Sequence, residues 1–114
     1  MAKVKIASSL FQEIQKKFKG ESYNVIDLLE TLEKNPKKGK ELGNVGGIVI
    51  KELKYKNFRF YFITEGYKIK VMSESELIDL LIKFVRMSDK KDQQKTIKEI
   101  RYILRQFGPE GFKD

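Results

Sequence analysis

The sequence contains no cysteine and no histidine. Without cysteine the chain has no disulfide framework, and a reducing cytoplasm is the expected compartment. Without either residue, thiolate nucleophiles, Ser–His triads and the usual zinc sites are excluded. Catalysis would therefore depend on Lys, Arg, Tyr, Glu or Asp. The acids are scattered, so we expect neither a metal nor a cofactor.

Long apolar runs are also missing. No stretch approaches the roughly 18 residues of a transmembrane helix, and the opening MAKVKIASSLFQEI lacks the apolar region of a signal peptide. We therefore expect no membrane partner. A hydrophobic content of 40% with eight phenylalanines indicates a globular core, and 114 residues suit one domain, 1–114.

Positive charge is concentrated in the middle of the chain. Residues 34–70 hold ten lysines and arginines against three acids, a net +7, whereas the other residues hold fourteen against thirteen, a net +1. A basic segment of this kind is typical of proteins that bind a phosphate backbone. The alternative is a lysine-rich composition with a solvated face.

Apolar spacing predicts the first elements. Alternation in KVKI predicts a short opening strand. A capping-box pattern at Ser9 and helical spacing predict a helix that stops at Gly20. A second helix is predicted to end at Asn35-Pro36, because proline disfavours a helical residue before it. Together these two form an N-terminal helical hairpin.

The sequence of the middle of the chain predicts a loop followed by strands. PKKGKELGNVGG is a loop rich in glycine and lysine, and strands are predicted at about 48–54, 58–64 and 67–72. A two-residue Glu-Gly turn would pair Phe62 with Ile69 and keep the apolar residues on one face. The register of the first of these strands stays open.

The segment SESELIDLLIKFVRMSDKK fits either a helix from Ser73 or a buried strand ending at Arg86, because periodicity does not decide short apolar runs. The last helix is predicted from Ser88 or Asp89 to Phe107, with polar KKDQQK protruding. The fold class is α+β: a helical hairpin packed on a small, mostly antiparallel twisted sheet, with a C-terminal helix.

One stretch, KELKYKNFRFYFITEG, combines a core strand with basic residues. Phe58, Phe60 and Phe62 alternate with Arg59 and Tyr61, which the alternation of a strand places on the opposite face. We expect the phenylalanines to be core. Arg59 and Tyr61 are the candidates for a working face.

Longer segments resemble the RelE/ParE superfamily of toxins. In LEKNPKKGKELGNVGGIVIKELKYKNFRFYFI, asparagine-proline ends a helix, K-x-L follows, and E-L-(K/R) and (Y/F)-R strands come next. KFVRMSDKKDQQKTIKEI resembles the HigB-like branch, in which a basic strand precedes a polar helix start. The resemblance covers about residues 4–105, and it depends on the order and spacing of short motifs.

The resemblance implies the RelE/ParE-like fold and the toxin of a type II toxin–antitoxin system. Such a toxin is a metal-independent mRNA endoribonuclease, often acting in the ribosomal A site, that inhibits translation. Its partners would be mRNA, the ribosome and a cognate antitoxin. By position, Arg59, Lys54 and Arg86 match basic residues of the family's concave face. Residues proposed to bind RNA are Lys37, Lys38, Lys40, Lys51, Lys56 and Lys70.

Cleavage by a 2′-hydroxyl needs a base, stabilisation of the phosphate and an acid. Arg59 would stabilise charge because its guanidinium does not deprotonate, and Lys54 would serve as base or acid. Glu52 or Tyr61 is the other candidate base. Many RelE proteins carry a tyrosine after the last strand. This chain has SDKKDQQ there, and Tyr61 substitutes only if it points into the same groove.

Several alternatives remain open from the residues themselves. In the alternative to a working face, Arg59 pairs with Glu52 across the hairpin, Tyr61 covers the stem of Lys70, and the loop lysines are solvated. On the same fold, a ParE-like toxin would bind DNA gyrase without cutting RNA. A third hypothesis, beside the endoribonuclease and the ParE-like toxin, is a non-catalytic basic RNA-binding domain.

Overall fold

The structure is a computed structural model that describes residues 1–112. These residues form five strands and four α-helices, linked by short 3-10 turns. In chain order the elements are β1 (Lys3–Ile6), α1 (Ser8–Phe18), α2 (Ser22–Glu30), β2 (Lys40–Val45), β3 (Ile48–Tyr55), β4 (Phe58–Glu65), α3 (Gly66–Val71), β5 (Leu81–Asp89) and α4 (Gln93–Phe107).

The strands form one mixed sheet in the order β1-β5-β4-β3-β2. β1 runs parallel to β5, and every other neighbouring pair is antiparallel. The predicted α+β class is confirmed. β3 and β4 are joined by the two-residue turn Lys56-Asn57 and pair Ile50 with Ile63, which settles the register that the sequence left open.

Helices cover both faces of the sheet. The face towards α1 and α2 buries Phe60, Phe62 and Phe84. Of the three phenylalanines predicted to be core, Phe60 and Phe62 are confirmed, and Phe58 is half-buried against them. The opposite face lies under α4, where Tyr61 and Ile100 are fully buried. Because β3 and β4 are covered on both sides, they contain almost unbroken buried runs rather than alternating ones.

The predicted strand at 67–72 is wrong. Residues Gly66–Val71 form helix α3, and the partner of β4 is β5, which pairs Phe62 with Phe84 rather than with Ile69. β5 is the longer strand and buries apolar side chains on both faces, which YKIKV does not supply. Burial therefore outweighs the local hairpin signal.

The N-terminal helical hairpin is also not found as predicted. The predicted opening strand is confirmed as β1, so the two helices, which one 3-10 turn at Lys19–Glu21 connects, follow a strand of the sheet. The predicted glycine-lysine loop contains β2, an edge strand whose register shifts between Glu41 and Gly43. Gly43 has φ of +151°, and the Arg101 guanidinium fills the place where a Cβ would stand.

The ambiguous segment is mostly strand. A capping box at Ser73 is present, but it caps only a 3-10 turn, Glu74–Glu76. β5 then runs past Arg86 to Asp89, with a register shift that places Val85 on the α4 side. α4 begins at Gln93 instead of Ser88 or Asp89, and its first residue packs on the sheet instead of protruding.

Candidate nucleic-acid interface

Six of the predicted site residues lie on the α4 face, at the end of the sheet where β3 leads into β4. Residues directly opposite each other on neighbouring strands share a face. One cross-strand row runs over β2, β3, β4 and β5, and the next covers β3, β4 and β5. The first row is Lys40, Glu52, Tyr61 and Arg86, and the second is Lys54, Arg59 and Ser88.

Arg59 is the central cation of this group. It is 8% exposed, and its Nε lies 3.7 Å from Oε2 of Glu52, an ion pair that is too long for a hydrogen bond. Within residues 1–112 this buried Nε has no hydrogen-bond partner. The pairing of Arg59 with Glu52 is thus present, but it leaves a buried donor unsatisfied, which is costly.

Glu52 is held by α4. Its side chain is 2% exposed, and Oε1 accepts a hydrogen bond of 3.0 Å from Nε2 of Gln93. The carboxylate is thus shared between the first residue of the helix and Arg59. Since both oxygens face protein groups and almost no surface is open, Glu52 is poorly placed to take a proton from a substrate.

Tyr61 does not open into a groove. It has no exposed surface, and its hydroxyl lies 2.7 Å from the hydroxyl of Ser88. Burial raises the pKa of the Tyr61 hydroxyl, and the hydrogen bond with Ser88 opposes that shift only in part. It does not cover the stem of Lys70, which lies on α3. Tyr61 holds β4 and β5 together on this face.

The remaining cations differ in how far they are engaged. Arg86 is half-buried, donates to Glu99 of α4 and to the Val85 carbonyl, and stands 5.3 Å from the Phe112 ring centroid. Lys40 and Lys54 are exposed. Lys40, Lys54 and the edge of Arg59 therefore form the part of the cluster that an anion can reach.

The other five predicted residues lie elsewhere. Lys51 points to the opposite face, where it is 4% exposed and its Nζ donates to the Lys37 carbonyl at 2.9 Å. Burial lowers the pKa of Lys51, against the attraction of Glu41. Lys56 lies in the hairpin turn and donates a hydrogen bond to Glu21. Lys37 and Lys38 are exposed in the loop before β2, and Lys70 is exposed on α3.

A neighbouring cavity of about 220 Å³ limits the direction of approach. It lies between α1, the end of β5 and the start of α4. Four carboxylates and two lysines are among its lining residues: Glu13, Asp89, Asp92, Glu99, Lys17 and Lys95. Burial raises the pKa of the Glu13 carboxyl, with Lys17 and Arg86 pulling the other way. This acidic side disfavours phosphate, so the open approach is from the side of Lys40 and Lys54.

A cavity of about 460 Å³ lies at the other end of the sheet, where β3 begins and β4 ends, and its lining contains none of the predicted site residues. In the described part of the chain, no three carboxylates come together as metal ligands would. Nor does any helix there combine the length and apolar character needed to cross a membrane.

Two residues of the cluster were not predicted to belong to it. Ser88 appeared only as a possible helix cap, and Gln93 as part of a protruding polar turn. The alternation of β5 would have placed Ser88 beside Tyr61 once the strand was extended to Asp89. Gln93 carries no local signal, because its contact spans 41 positions along the chain.

No protein-family model, no curated protein and no solved structure matches the chain. The relationship to RelE/ParE toxins therefore stays a prediction that depends on the sequence motifs.

Proposed function

We propose that this chain binds RNA through the basic end of its sheet and cleaves it as a translation-inhibiting toxin. In this proposal it acts in the cytoplasm on mRNA, with or without the ribosome, and a cognate antitoxin neutralises it. The fold would be a RelE/ParE-like variant in which a C-terminal helix closes the working face.

One observation carries the proposal. Arg59 is almost fully buried, yet its Nε donor lacks a hydrogen bond, and the exposed Lys54 is its direct neighbour across the β3–β4 ladder. A buried donor without a partner is uncommon and calls for an explanation. The Nε itself is enclosed, so a phosphodiester would meet the guanidinium charge at the small exposed edge of Arg59, and Arg–phosphate hydrogen bonds are among the stronger ones in proteins.

The geometry reduces the predicted catalytic set. Arg59 would hold the phosphate and stabilise charge in the transition state. Lys54 is the exposed group of the set that can exchange a proton with substrate. Tyr61, Glu52 and Arg86 are engaged with Ser88, Gln93 and Glu99, so in this proposal they are structural neighbours of the other two and do not exchange a proton with the RNA. Alignment of the attacking hydroxyl would then come from the RNA or the ribosome.

The second candidate is a non-catalytic RNA-binding domain. The specific observation in its favour is that two of the three candidate bases, Tyr61 and Glu52, are closed to solvent. Binding requires only the cations, and their contribution would be recognised by the strong salt dependence that counterion release produces.

The test is inducible expression of the wild-type chain and of Arg59→Ala and Lys54→Ala, followed by mapping of mRNA 5′ ends. Lys16→Ala is the matched control, because it removes an exposed lysine of α1, on the face of the sheet opposite α4. We expect growth arrest with new 5′ ends for wild type and Lys16→Ala, and loss of both in the other two. Circular dichroism shows whether Arg59→Ala still folds. If it does not fold, Lys54→Ala alone tests the proposal, because Lys54 is exposed and its replacement should leave the fold intact.

The other outcomes separate the alternatives. Arrest with a DNA-damage response and no new 5′ ends would contradict the nuclease and favour gyrase binding. Salt-sensitive RNA binding without arrest would favour the non-catalytic domain. Neither arrest nor RNA binding would overturn the proposed function altogether.

A further inference from the structure

Glu52 lies between two donors that compete for it. On one side Gln93 donates to Oε1 at 3.0 Å, and on the other Nε of Arg59 remains 3.7 Å from Oε2. Arginine and carboxylate normally meet in short, often bidentate hydrogen bonds. Here the pair stops short of one, although both side chains are nearly buried and lie on adjacent strands.

The amide of Gln93 offers a physical reason for this arrangement. Each hydrogen bond to a carboxylate restricts its rotation, and the bond from Gln93 ties Oε1 to the first residue of α4. Glu52 therefore screens the Arg59 charge at a distance without occupying its Nε donor. A carboxylate free to rotate would close the gap of 3.7 Å and satisfy that donor internally.

We infer that Gln93 is a positioning residue that keeps Arg59 available to a phosphodiester of RNA by holding Glu52 away from it. The inference rests on the proposed RNA-binding function and adds a specific part to it. Gln93, the first residue of α4, thus determines whether Arg59 on β4 can bind a phosphate or is neutralised by Glu52. Gln93 itself need not touch the RNA.

The chain offers a matched control. Gln94 is the same residue type at the next position of the same helix, but it is exposed and makes no such contact. We therefore compare Gln93→Ala with Gln94→Ala for binding of a mixed-sequence single-stranded RNA over a range of salt concentrations. Urea unfolding of both variants separates loss of binding from loss of fold.

We expect Gln93→Ala to weaken RNA binding about fivefold to tenfold, as loss of one charge-assisted contact does. The slope of log affinity against log salt concentration should fall by about one phosphate contact. Gln94→Ala should leave both unchanged. A general loosening of the fold would not remove one unit from the salt slope selectively.

A second readout does not need RNA. The nitrogen and proton resonances of Arg59 Nε report whether it has gained a hydrogen bond, so Gln93→Ala should shift them in the free protein. In a Glu52→Gln background, Gln93→Ala should have no further effect on RNA affinity, since no carboxylate remains to turn inward.

The outcomes are distinct from those of the proposed function. If wild type does not bind RNA, the proposed function fails, while the Arg59 resonance still decides whether Gln93 holds Glu52 away. If wild type binds and Gln93→Ala matches it in affinity, salt slope and Arg59 resonance, the inference is overturned.

Discussion

The hydroxyls of Tyr61 and Ser88 lie 2.7 Å apart across the β4–β5 ladder, in the part of the sheet that α4 covers. The Ser88 hydroxyl donates its proton to the Asp89 carbonyl at 2.9 Å, so it accepts the hydrogen bond of Tyr61. Burial raises the pKa of Tyr61, so its proton is held more firmly than in water. The hydrogen bond between Tyr61 and Ser88 therefore joins β4 to β5 next to Arg59.

The first prediction separates a structural tyrosine from a reactive one. Tyr61→Phe should lower the free energy of unfolding by about 0.5–1.5 kcal/mol, the loss of one hydrogen bond, and leave growth arrest intact. Ser88→Ala should cost more, about 1–3 kcal/mol, because it leaves a buried phenol without its partner. Urea unfolding measures both, and loss of arrest in a folded Tyr61→Phe would return Tyr61 to the reactive set.

The second prediction concerns the buried lysine. Burial lowers the pKa of Lys51 in the folded chain from 10.5, so the unfolded chain binds the proton more tightly between the two values. Stability should therefore rise with pH through the folded pKa and level off above 10.5, with a slope below about 1.4 kcal/mol per pH unit for one proton.

Lys51→Met is the comparison that isolates this effect. Tyr61, whose pKa is raised from 10.0, gives the opposite trend above that pH, and it is present in both proteins. The difference in unfolding free energy should shift in favour of wild type as pH rises towards 10.5. A difference that stays flat from neutral pH to that point would contradict the burial of Lys51.

The third prediction concerns Gly39, which directly precedes β2. It has φ of +107°, and a Cβ there would stand 2.8 Å from Cζ of Phe62. Gly47 also has a positive φ, +87°, but nothing lies within 4 Å of its Cβ position. Gly47→Ala should lower stability by about 1 kcal/mol from backbone strain alone, and Gly39→Ala by roughly 2 kcal/mol more from the clash. Equal thermal shifts would place Gly39 away from Phe62.

The fourth prediction tests the parallel edge of the sheet, where Lys3 lies opposite Leu81. Since the chain has no cysteine, Lys3→Cys with Leu81→Cys introduces a single disulfide. It should form on oxidation and stabilise the fold by up to about 4 kcal/mol, because it closes a long loop. The pair Lys5→Cys with Leu81→Cys is offset along the strand and should form it poorly. The reverse preference would require another register.

The sequence was sufficient where one local pattern decides an element. The alternation of Phe58, Phe60 and Phe62 identifies β4 and its core face, and helical spacing identifies α1, α2 and α4. The sequence was insufficient where two segments of the chain could each pair with the same strand. YKIKV alternates as a strand does, but the place beside β4 goes to β5, whose Phe84 and Val85 bury more apolar surface on the two faces.

The candidate site was predictable in part for the same reason. Pairing within a hairpin brings Lys54 to Arg59, and strand alternation adds Tyr61. Those relationships are local. The covering of that face by α4, and with it the capture of Glu52 by Gln93, depends on packing between residues far apart in sequence, which no short pattern encodes.

The parallel pairing of β1 with β5 affects the order in which the protein is completed during synthesis. β1 has no partner until β5 has emerged from the ribosome, because Lys3 and Leu81, which lie opposite each other, are 78 positions apart. Gln93 follows later still. A nascent chain therefore keeps β1 unpaired and the group around Arg59 incomplete until the segment from Leu81 to Gln93 has been made.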